Sequence, residues 1–467
     1  MSSEMASRSS SRATNVVVSE AENSTFVTDA ADGDQPQEFQ YSEGQGEEEA
    51  QESLSNLPPV DGGWGAWTYL AAATGLESQL IGLGFANSYG VFLDYYSARF
   101  PLNVNMLPIV GTIAVGEMYL LLSPLTLWLA IHPGQRTMTM WAGLVIISAS
   151  FLGAAFSQST GGLVATQGVL YGLGGTMLYC PTTVYMFEWW SKRRGFSAGV
   201  MFAGTGAGGL VMPFVSIALL QRYGSRIALL SIGITYTILL GLLIPFIRPR
   251  IPVSTHIIVR RQPKIRWSFL RHRPFWLLWA GVLFQGLASF MPGTYLPSYA
   301  TALSLSPTFG TLSIALMNLA RVPGQVILGY LSDTIGPRKL ILGISAASAL
   351  SVFAGWGSAI DQGGLVAFSL TFGAVAGSYS ALFPRFISIV NADNLSLAAI
   401  LYALFSFARG LGSLCSGPLS SLLMSSHTLS GTKGGYGVEG FGALILWTGA
   451  GMVASGVGAG YKGFKVD

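Results

Sequence analysis

Long apolar stretches separated by short polar loops follow one another from residue 61 to residue 460. A helix of about 20 apolar residues crosses a bilayer core, and the pattern predicts twelve such spans. Runs such as Leu239 to Ile244 do not alternate between polar and apolar positions, which argues against a membrane β-barrel. The predicted spans are 66–93, 106–130, 137–156, 161–187, 195–219, 226–247, 274–301, 309–331, 340–360, 363–387, 397–423 and 441–460.

The longest polar gap between spans divides them six and six. Paired halves of this kind are typical of secondary transporters, in which a solute binds near the midplane and the halves rock around it. A receptor, a membrane-bound synthase or a sensor would share the same plan. The predicted segments are a tail (1–60), an N-terminal six-helix half (61–247), a central loop (248–273), a C-terminal six-helix half (274–460) and a short C-terminal tail (461–467).

Composition separates the tail from the apolar body. Only 10% of the 467 residues are charged, against about 25% in a soluble domain, so a soluble enzyme is excluded. Residues 1–60 nevertheless hold twelve acidic and two basic residues and are rich in Ser, Glu and Gln. Such a segment cannot bury enough apolar surface to offset its ordering entropy, so we expect a disordered acidic tail.

The basic residues predict the orientation, because Lys and Arg concentrate in cytosolic loops. If the acidic tail is cytosolic, 17 Lys and Arg lie on the same side of the membrane and four on the other. Both termini are therefore predicted to be cytosolic, and the plasma membrane is the expected location. The central loop holds eight of these residues; lying between membrane spans, it is expected to contact anionic lipid rather than nucleic acid.

The loop after the eighth span carries a recognisable signature. It runs from Gly329 through Asp333, Gly336 and Arg338 to Lys339, and it resembles the G-x-x-x-D-x-x-G-x-R-[RK] signature of the major facilitator superfamily. The corresponding loop of the first half ends at Arg136 and lacks the acid. We therefore expect an asymmetric cytosolic gate.

Two further stretches narrow the resemblance. Asp61 to Trp67 reads DGGWGAW, and Phe187 to Gly199 reads FEWWSKRRGFSAG. Both resemble signatures of the monocarboxylate porter family, and the phrase from Asn87 to Phe92 fits its fungal branch. The resemblance implies an all-α membrane protein of the major facilitator fold, with twelve transmembrane helices in two six-helix halves. It also implies a transporter of a small organic solute, with no cofactor and no catalytic or metal site.

Charged residues at the ends of the spans are candidates for the cytosolic gate. Asp61 either pairs with the basic cluster of the second signature or is an ordinary acid at a helix N-terminus. Asp333 can pair with a cation or cap a helix, and its basic neighbours can hold the closed contacts. The gate candidates are Asp61, Lys192, Arg193, Arg194, Asp333, Arg338 and Lys339.

Four charged residues fall inside predicted spans: Glu77, Glu117, Arg321 and Arg409. A charge at mid-bilayer costs at least a few kcal/mol, so each is a functional candidate. Glu77 lies near the midplane and is a candidate proton or substrate site, with a structural ion pair as the alternative. Glu117 is the candidate for a structural ion pair. The two arginines either bind an anionic group of the substrate or lock the halves together.

The family comparison argues against simple monocarboxylate–proton symport. Porters of lactate-like acids carry a lysine in span one and an acid followed by an arginine, one turn apart, in span eight. Here Asn87 stands at the lysine, Arg321 at the acid and Gln325 at the arginine. Asn87 and Gln325 offer neutral hydrogen bonds, which favours a larger, mostly neutral or weakly acidic molecule.

These observations predict a secondary active transporter for an organic acid or secondary metabolite, with export slightly favoured and protons as the candidate coupling ion. One alternative is a proton-coupled uptake carrier for a monocarboxylate or vitamin. A second is a transport-fold sensor that signals through its acidic tail. No nucleotide-binding G-x-x-x-x-G-K-[ST] loop is present, and the four histidines are scattered among loops, so an enzyme is not expected.

Overall fold

The computed structural model describes residues 57–79, 85–100, 106–251, 267–390, 395–425, 436–438 and 440–461. Within these ranges the regular structure is helical and contains no strand, and nine helices are long and apolar enough to cross a membrane. The predicted all-α membrane fold is thereby confirmed, whereas the count of twelve helices stays a prediction. The predictions for residues 1–56 of the tail, 252–266 of the central loop and 462–467 concern parts of the chain outside the described residues.

Six labelled helices form the N-terminal half. They are α1 (Gly63–Glu77), α2 (Phe85–Arg99), α3 (Leu107–Ile131), α4 (Arg136–Phe156), α5 (Tyr171–Trp189) and α6 (Arg194–Leu243). A short helix, Thr160–Leu163, and a π-helical segment, Val164–Leu170, lead into α5. The first predicted span falls on α1 and α2, and residues 80–84 between them lie outside the described part of the chain.

Seven labelled helices form the C-terminal half. They are α7 (Arg273–Ala302), α8 (Pro307–Thr334), α9 (Pro337–Leu350), α10 (Gln362–Val375), α11 (Phe383–Val390), α12 (Leu395–Ser425) and α13 (Gly442–Ser455). A π-helical segment, Ser351–Trp356, extends α9, a 3₁₀ segment, Ala376–Leu382, joins α10 to α11, and a 3₁₀ turn, Gly456–Ala459, ends α13.

Helix α6 covers both the fifth and the sixth predicted spans because it folds back at Gly224. This glycine adopts φ 74° and ψ 172°, which is outside the helical region, and a side chain would strain that conformation. On either side of it, Gly204 lies against the carbonyl oxygen of Thr74, and Leu243 packs on Gly75. Since both arms reach neighbouring residues of α1, α6 is a hairpin of two antiparallel helices.

Large apolar side chains cover the outside of the helix bundle. Met138 is 75% exposed, Leu242 62% and Leu422 67%. Such exposure would be unfavourable in water, at about 25 cal/mol per Å² of apolar surface. These side chains are therefore suited to contact with lipid.

The two halves meet along α6 and α8 through residues without side chains. A β-carbon at Gly195 or Gly199 would collide with the backbone of α8, at Gly329 and Gln325 respectively, and one at Gly206 would lie 2.7 Å from the carbonyl oxygen of Asn318. Small residues allow helix backbones to approach this closely. The glycines of the predicted fifth span, 195–219, therefore lie at a close contact between the halves.

A second contact between the halves joins α3 to α12. A β-carbon at Gly410 would lie 2.7 Å from Cβ of Tyr119, and Gly116 packs on Leu414. Nearer the end of α3, the hydroxyl of Ser123 donates to the carbonyl oxygen of Ala403 at 2.9 Å. The two contacts place side chains from both halves around one central region.

The tenth predicted span is interrupted rather than continuous. The α-helical bonding of α10 gives way to the 3₁₀ segment Ala376–Leu382, where the amide of Phe383 donates to the carbonyl of Ser380, three residues back. Pro384 accounts for this break, because proline lacks the amide that would bond Ser380 and its ring clashes with that carbonyl in an α-helix. The break lies beside α7 and α8 in the central region.

Candidate functional site

Arg409 lies at the centre of the bundle, within α12. It is 7% exposed, and its Nη1 donates to Oε1 of Gln285 on α7 at 3.1 Å. The guanidinium lies 5.5 Å from the ring centroid of Phe290 and 5.8 Å from that of Tyr119 on α3. Arginine interacts favourably with aromatic faces at such distances, so Arg409 bridges the two halves at this depth.

Arg321 belongs to the same region. Arg321 lies within electrostatic range of Arg409, and both arginines lie within electrostatic range of the hydroxyl of Tyr119. The Nε atoms of both arginines are buried and have no hydrogen-bond partner among the described residues. A β-carbon at Gly377 of the 3₁₀ segment would lie 2.8 Å from Nε of Arg321. The site therefore holds two cations, and the guanidinium of Arg321 packs against Gly377.

Glu77 faces this region from the end of α1. It is fully buried, and within the described chain neither carboxylate oxygen has a hydrogen-bond partner. Its carboxylate lies within electrostatic range of the hydroxyls of Tyr119, Tyr179 and Tyr402. A buried carboxylate without a partner is costly as an anion, so the surroundings favour the protonated form.

Glu77 and both arginines thus all lie near Tyr119. In the part of the chain that is described, Glu77 nevertheless forms no salt bridge with either arginine. An arrangement with buried cations and an unpaired acid can accept an anionic ligand on one side and a proton on the other. The sequence predicted Glu77, Arg321 and Arg409 as candidates, and the structure brings all three around Tyr119.

Two other candidate positions differ in what the structure shows. Gln325 is 1% exposed, and its Nε2 donates to the carbonyl oxygen of Gly377 and to the hydroxyl of Ser380, each at 3.2 Å. Its amide therefore holds the 3₁₀ segment. Asn87 lies in α2, and its side chain is outside the described part.

Glu117 lies apart from this arrangement, on the side of α3 that faces Gly172, where a β-carbon would come within 3.2 Å of its Oε2. Among the described residues it forms no salt bridge. The structural ion pair proposed for it from the sequence therefore stays a prediction without a partner.

Tyr179 and Tyr402 join the halves between Arg409 and the end of the bundle that carries Asp61, Lys192, Asp333 and Arg338, here called the basic end. Their hydroxyls are 2.5 Å apart. Tyr402 also packs edge-on against Phe187 of α5 and Phe383 of α11, with centroid distances of 5.9 Å in each case. These aromatic side chains separate the arginines from the basic end.

Asp333 connects the halves at the basic end itself. Its Oδ1 accepts from the amide of Gly195 at 2.9 Å, and Oδ2 accepts from that of Phe196 at 2.8 Å. Both amides belong to the first turn of α6, where free donors and the helix dipole favour an acid. Arg385 acts electrostatically on Asp333 from α11. The acid of the signature loop is therefore a helix cap supplied by the opposite half.

Asp61 makes a different contact from the side-chain pairing considered from the sequence. Its carboxylate accepts from the backbone amides of Ser191, Lys192 and Arg193 at 2.9 to 3.0 Å. All these residues belong to the N-terminal half. Asp61 consequently fixes the loop before α6 and does not connect the two halves through the contacts described.

The basic members of the two signatures are also placed. Lys192 and Arg193 are exposed. The guanidinium of Arg194 lies 5.9 Å from the ring centroid of Phe187, and that of Arg338 lies 4.6 Å from the ring centroid of Tyr461. Lys339 follows Arg338 in the first turn of α9 and is exposed.

Sequence reasoning missed a buried ion pair in the first half. Nη1 of Arg136 lies 2.7 Å from Oε1 of Glu188, and their side chains are 6% and 2% exposed. The other oxygen of Glu188 accepts from the amide of Arg250 at 3.2 Å. The sequence signal was present in Arg136, which is the basic residue of the signature loop that lacks its acid.

It also missed Tyr119, Tyr402 and Gln285. Isolated tyrosines and a glutamine carry no pattern that separates a central site from ordinary helix packing. Their role emerges only where α3, α7 and α12 bring them to Arg409.

Comparison with known proteins places this geometry in a family. The profile of the Major Facilitator Superfamily matches residues 74–413. An MFS-type transporter of Gibberella zeae is 23% identical over 79% of this chain and 83% of its own length. The MFS-type transporter hasB of Aspergillus fumigatus is 24% identical over 87% of this chain and 91% of its own. The fujikurins efflux protein of Gibberella fujikuroi is 26% identical over 73% and 71%.

The family match covers both halves and includes α3, α6, α8 and the residues around Arg409. Together with the apolar helices, it identifies a multi-pass membrane transporter for a small organic solute and not an enzyme. The finer assignment to the monocarboxylate porters stays a proposal. The chain belongs to the Major Facilitator Superfamily.

Proposed function

We propose that this protein exports a weakly acidic organic molecule, such as a secondary metabolite, from the cytosol. The observation that supports this is the pair of arginines, partly buried Arg321 and buried Arg409, which lie within electrostatic range of each other and form no salt bridge within the described chain. Two cations held close together and away from bulk water are unfavourable unless an anion joins them. An anionic group of the solute would fill that role.

The aromatic side chains around Arg409 support a solute larger than a short-chain acid. The ring centroids of Phe290 and Tyr119 lie 5.5 and 5.8 Å from the guanidinium, and rings of this kind offer a large apolar contact area. The neutral amide of Gln325 at the position of the porters' arginine points in the same direction. We propose that the protein is a divergent member of the fungal branch of the monocarboxylate porters.

Glu77 is the proposed proton site. In the state described here it faces tyrosine hydroxyls without a hydrogen bond to any described residue, which disfavours its anion. When the halves rock and water reaches it, it would release its proton. Proton binding at Glu77 and solute binding at the arginines would then influence each other through Tyr119, because the charges of Glu77 and of the arginines both lie near its hydroxyl.

The basic end is proposed to be cytosolic, because Lys and Arg concentrate there. The Asp333 cap and the contact between Tyr179 and Tyr402 would form the cytosolic gate. The state described is then closed towards the cytosol. The plasma membrane as location, the cytosolic termini and the attraction of the central loop to anionic lipid complete the proposal.

Export is favoured over uptake by the relatives, since one of them is named an efflux protein for fujikurins. Untargeted metabolite profiling of cells and medium tests this, using a strain without the gene, the same strain carrying the parent gene, and one carrying Arg409→Gln. We expect an acidic compound to build up inside the null strain and to reappear in the medium only with the parent gene. Equal compound levels in the null and parent strains, inside and outside, would exclude transport in either direction.

A further inference from the structure

The 3₁₀ segment Ala376–Leu382 is held by two buried glutamines from neighbouring helices. Gln285 of α7 donates from Nε2 to the carbonyl oxygen of Ala376 at 3.1 Å. Gln325 of α8 donates to the carbonyl of Gly377 and the hydroxyl of Ser380. Carbonyl groups freed by a break in a helix must find other donors in a buried setting. The two amides supply them.

Gln285 is also in direct contact with the arginine site. Its Oε1 accepts from Nη1 of Arg409 at 3.1 Å, while its Nε2 holds Ala376. Gln285 is 1% exposed, so water offers its amide little alternative. One side chain therefore connects a cation of the site to the break, and the orientation of its amide is fixed by both partners.

The break leads directly into the aromatic contact at the basic end. Phe383, the first residue of α11, packs on Tyr402 and on Phe405, with centroid distances of 5.9 and 6.3 Å. Tyr402 in turn contacts Tyr179 of the other half. A change in the 3₁₀ segment would move Phe383 relative to Tyr402. Mid-helix 3₁₀ stretches often mark such hinges.

We propose that Gln285 is a positioning residue that transmits the state of Arg409 to a hinge at Ala376–Leu382, and that this hinge opens the aromatic contact around Tyr402. The inference rests on the proposed anion site at Arg409. An anion that draws Nη1 away from Oε1 frees the amide of Gln285 to rotate, and the bond to Ala376 is then lost. Solute binding thereby loosens the hinge.

The substitution Gln285→Glu separates the two bonds of this relay. A glutamate has nearly the same shape and still accepts from Arg409, but in its ionised form it has no donor for Ala376. Hydrogen exchange of the full-length protein in lipid nanodiscs measures the hinge. We expect amides in residues 376–390 to exchange about fivefold faster, the factor for one lost buried hydrogen bond.

Gln167→Glu is the matched control. Gln167 is likewise buried, at 2% exposure, and donates to the hydroxyl of Tyr96; both residues belong to the N-terminal half, whereas Gln285 belongs to the C-terminal half. It should leave exchange in residues 376–390 unchanged. Unchanged exchange in Gln285→Glu, or an equal increase in the control, would overturn the relay.

Access from the basic end supplies the functional readout. Ser406 is fully buried and lies one helical turn after Tyr402 on α12. In a background with Cys180 and Cys415 replaced by alanine, Ser406→Cys should react slowly with a membrane-impermeant maleimide applied to inside-out vesicles. Adding Gln285→Glu should speed labelling several-fold, whereas Gln167→Glu should not. Equal labelling rates in the two variants would contradict the hinge.

Neither hydrogen exchange nor maleimide labelling requires the solute. The relay through Gln285 and the proposed export function can therefore be disproved independently of each other. Faster exchange and labelling in Gln285→Glu, with no transported compound found by profiling, would leave the relay and remove the proposed function. Arg409-dependent export with unchanged exchange would leave the function and remove the relay.

Discussion

Glu77 has an unusually restrictive setting for a charged residue. It is fully buried and has no hydrogen-bond partner among the described residues, yet three tyrosine hydroxyls and two arginines surround the same region. A carboxyl group in this position is stable as the neutral acid and becomes costly when it loses its proton. Under the proposed mechanism, its proton occupancy would therefore follow the conformation of the protein.

Replacing Glu77 with glutamine should remove the pH-dependence of transport, because an amide keeps the shape but cannot bind and release a proton. The transport rate of the compound identified by profiling, measured over a range of pH, checks this. Asp361→Asn is the control, since Asp361 is an exposed cap at the start of α10, asparagine caps a helix equally well, and the variant should keep the parent's pH profile. A Glu77→Gln variant with the full pH-dependence of the parent would rule Glu77 out as the proton site.

Gly377 is a second residue at which the surroundings predict the effect of a substitution. A β-carbon there would lie 2.8 Å from Nε of Arg321, and overpacking of this kind costs about 1–3 kcal/mol. Gly377→Ala should displace the guanidinium and lower transport about tenfold, the factor for ~1.4 kcal/mol. Gly343→Ala is the control, because nothing lies within 4 Å of a β-carbon at that position. Transport at the parent's rate in Gly377→Ala would show that Arg321 need not occupy its present place.

At the scale of elements, the contacts between the halves are of two kinds. The α6–α8 and α3–α12 contacts are smooth, built on Gly199, Gly206 and Gly410, and can slide. The Asp333 cap and the Tyr179–Tyr402 contact are discrete hydrogen bonds that are either made or broken. A transporter that alternates between two states needs both properties.

Asp333→Ala should favour opening at the basic end, because the first turn of α6 loses a cap that comes from the other half. Loss of a helix cap costs about 0.5–2 kcal/mol, so labelling of Ser406→Cys from that side should rise several-fold. Asp361→Ala is the matched control: Asp361 caps α10 at 2.8 Å from the amide of Gly364, within a single half. It should lower stability without raising labelling. Equal labelling in both variants would show that Asp333 does not hold the end closed.

Elements differ in how far the sequence could predict them. Apolar length predicted the long apolar helices, nine of which lie in the described part of the chain. The interruption of the tenth span was missed, because a single proline is common in membrane helices and Pro384 alone does not show which bonds replace the lost one. Those replacements come from Gln285 and Gln325, on other helices.

The site was predicted in part for the same reason. Charged residues stand out in an apolar sequence, so Glu77, Arg321 and Arg409 could be found. Tyr119 and Tyr402 could not, since their importance depends on which helices cross beside them. The sequence left two alternatives open for Asp61, because it indicates opposite charges but not which backbone amides are free.

At the scale of the whole molecule, orientation follows from the distribution of Lys and Arg. An epitope placed before Met1 should be accessible to antibody only after the plasma membrane is permeabilised, because the tail is predicted to be cytosolic together with the basic end. Staining of intact cells would reverse the orientation and with it the assignment of the Asp333 contacts to the cytosolic gate.

The central claim is that the chain moves an acidic solute outward through a site containing Arg409. Inside-out plasma-membrane vesicles test it most directly, with the compound found by profiling supplied outside the vesicles. Vesicles carrying the parent protein should accumulate the compound, and vesicles carrying equal amounts of Arg409→Gln should not. Equal accumulation in vesicles with the parent protein and in vesicles without it would contradict the account.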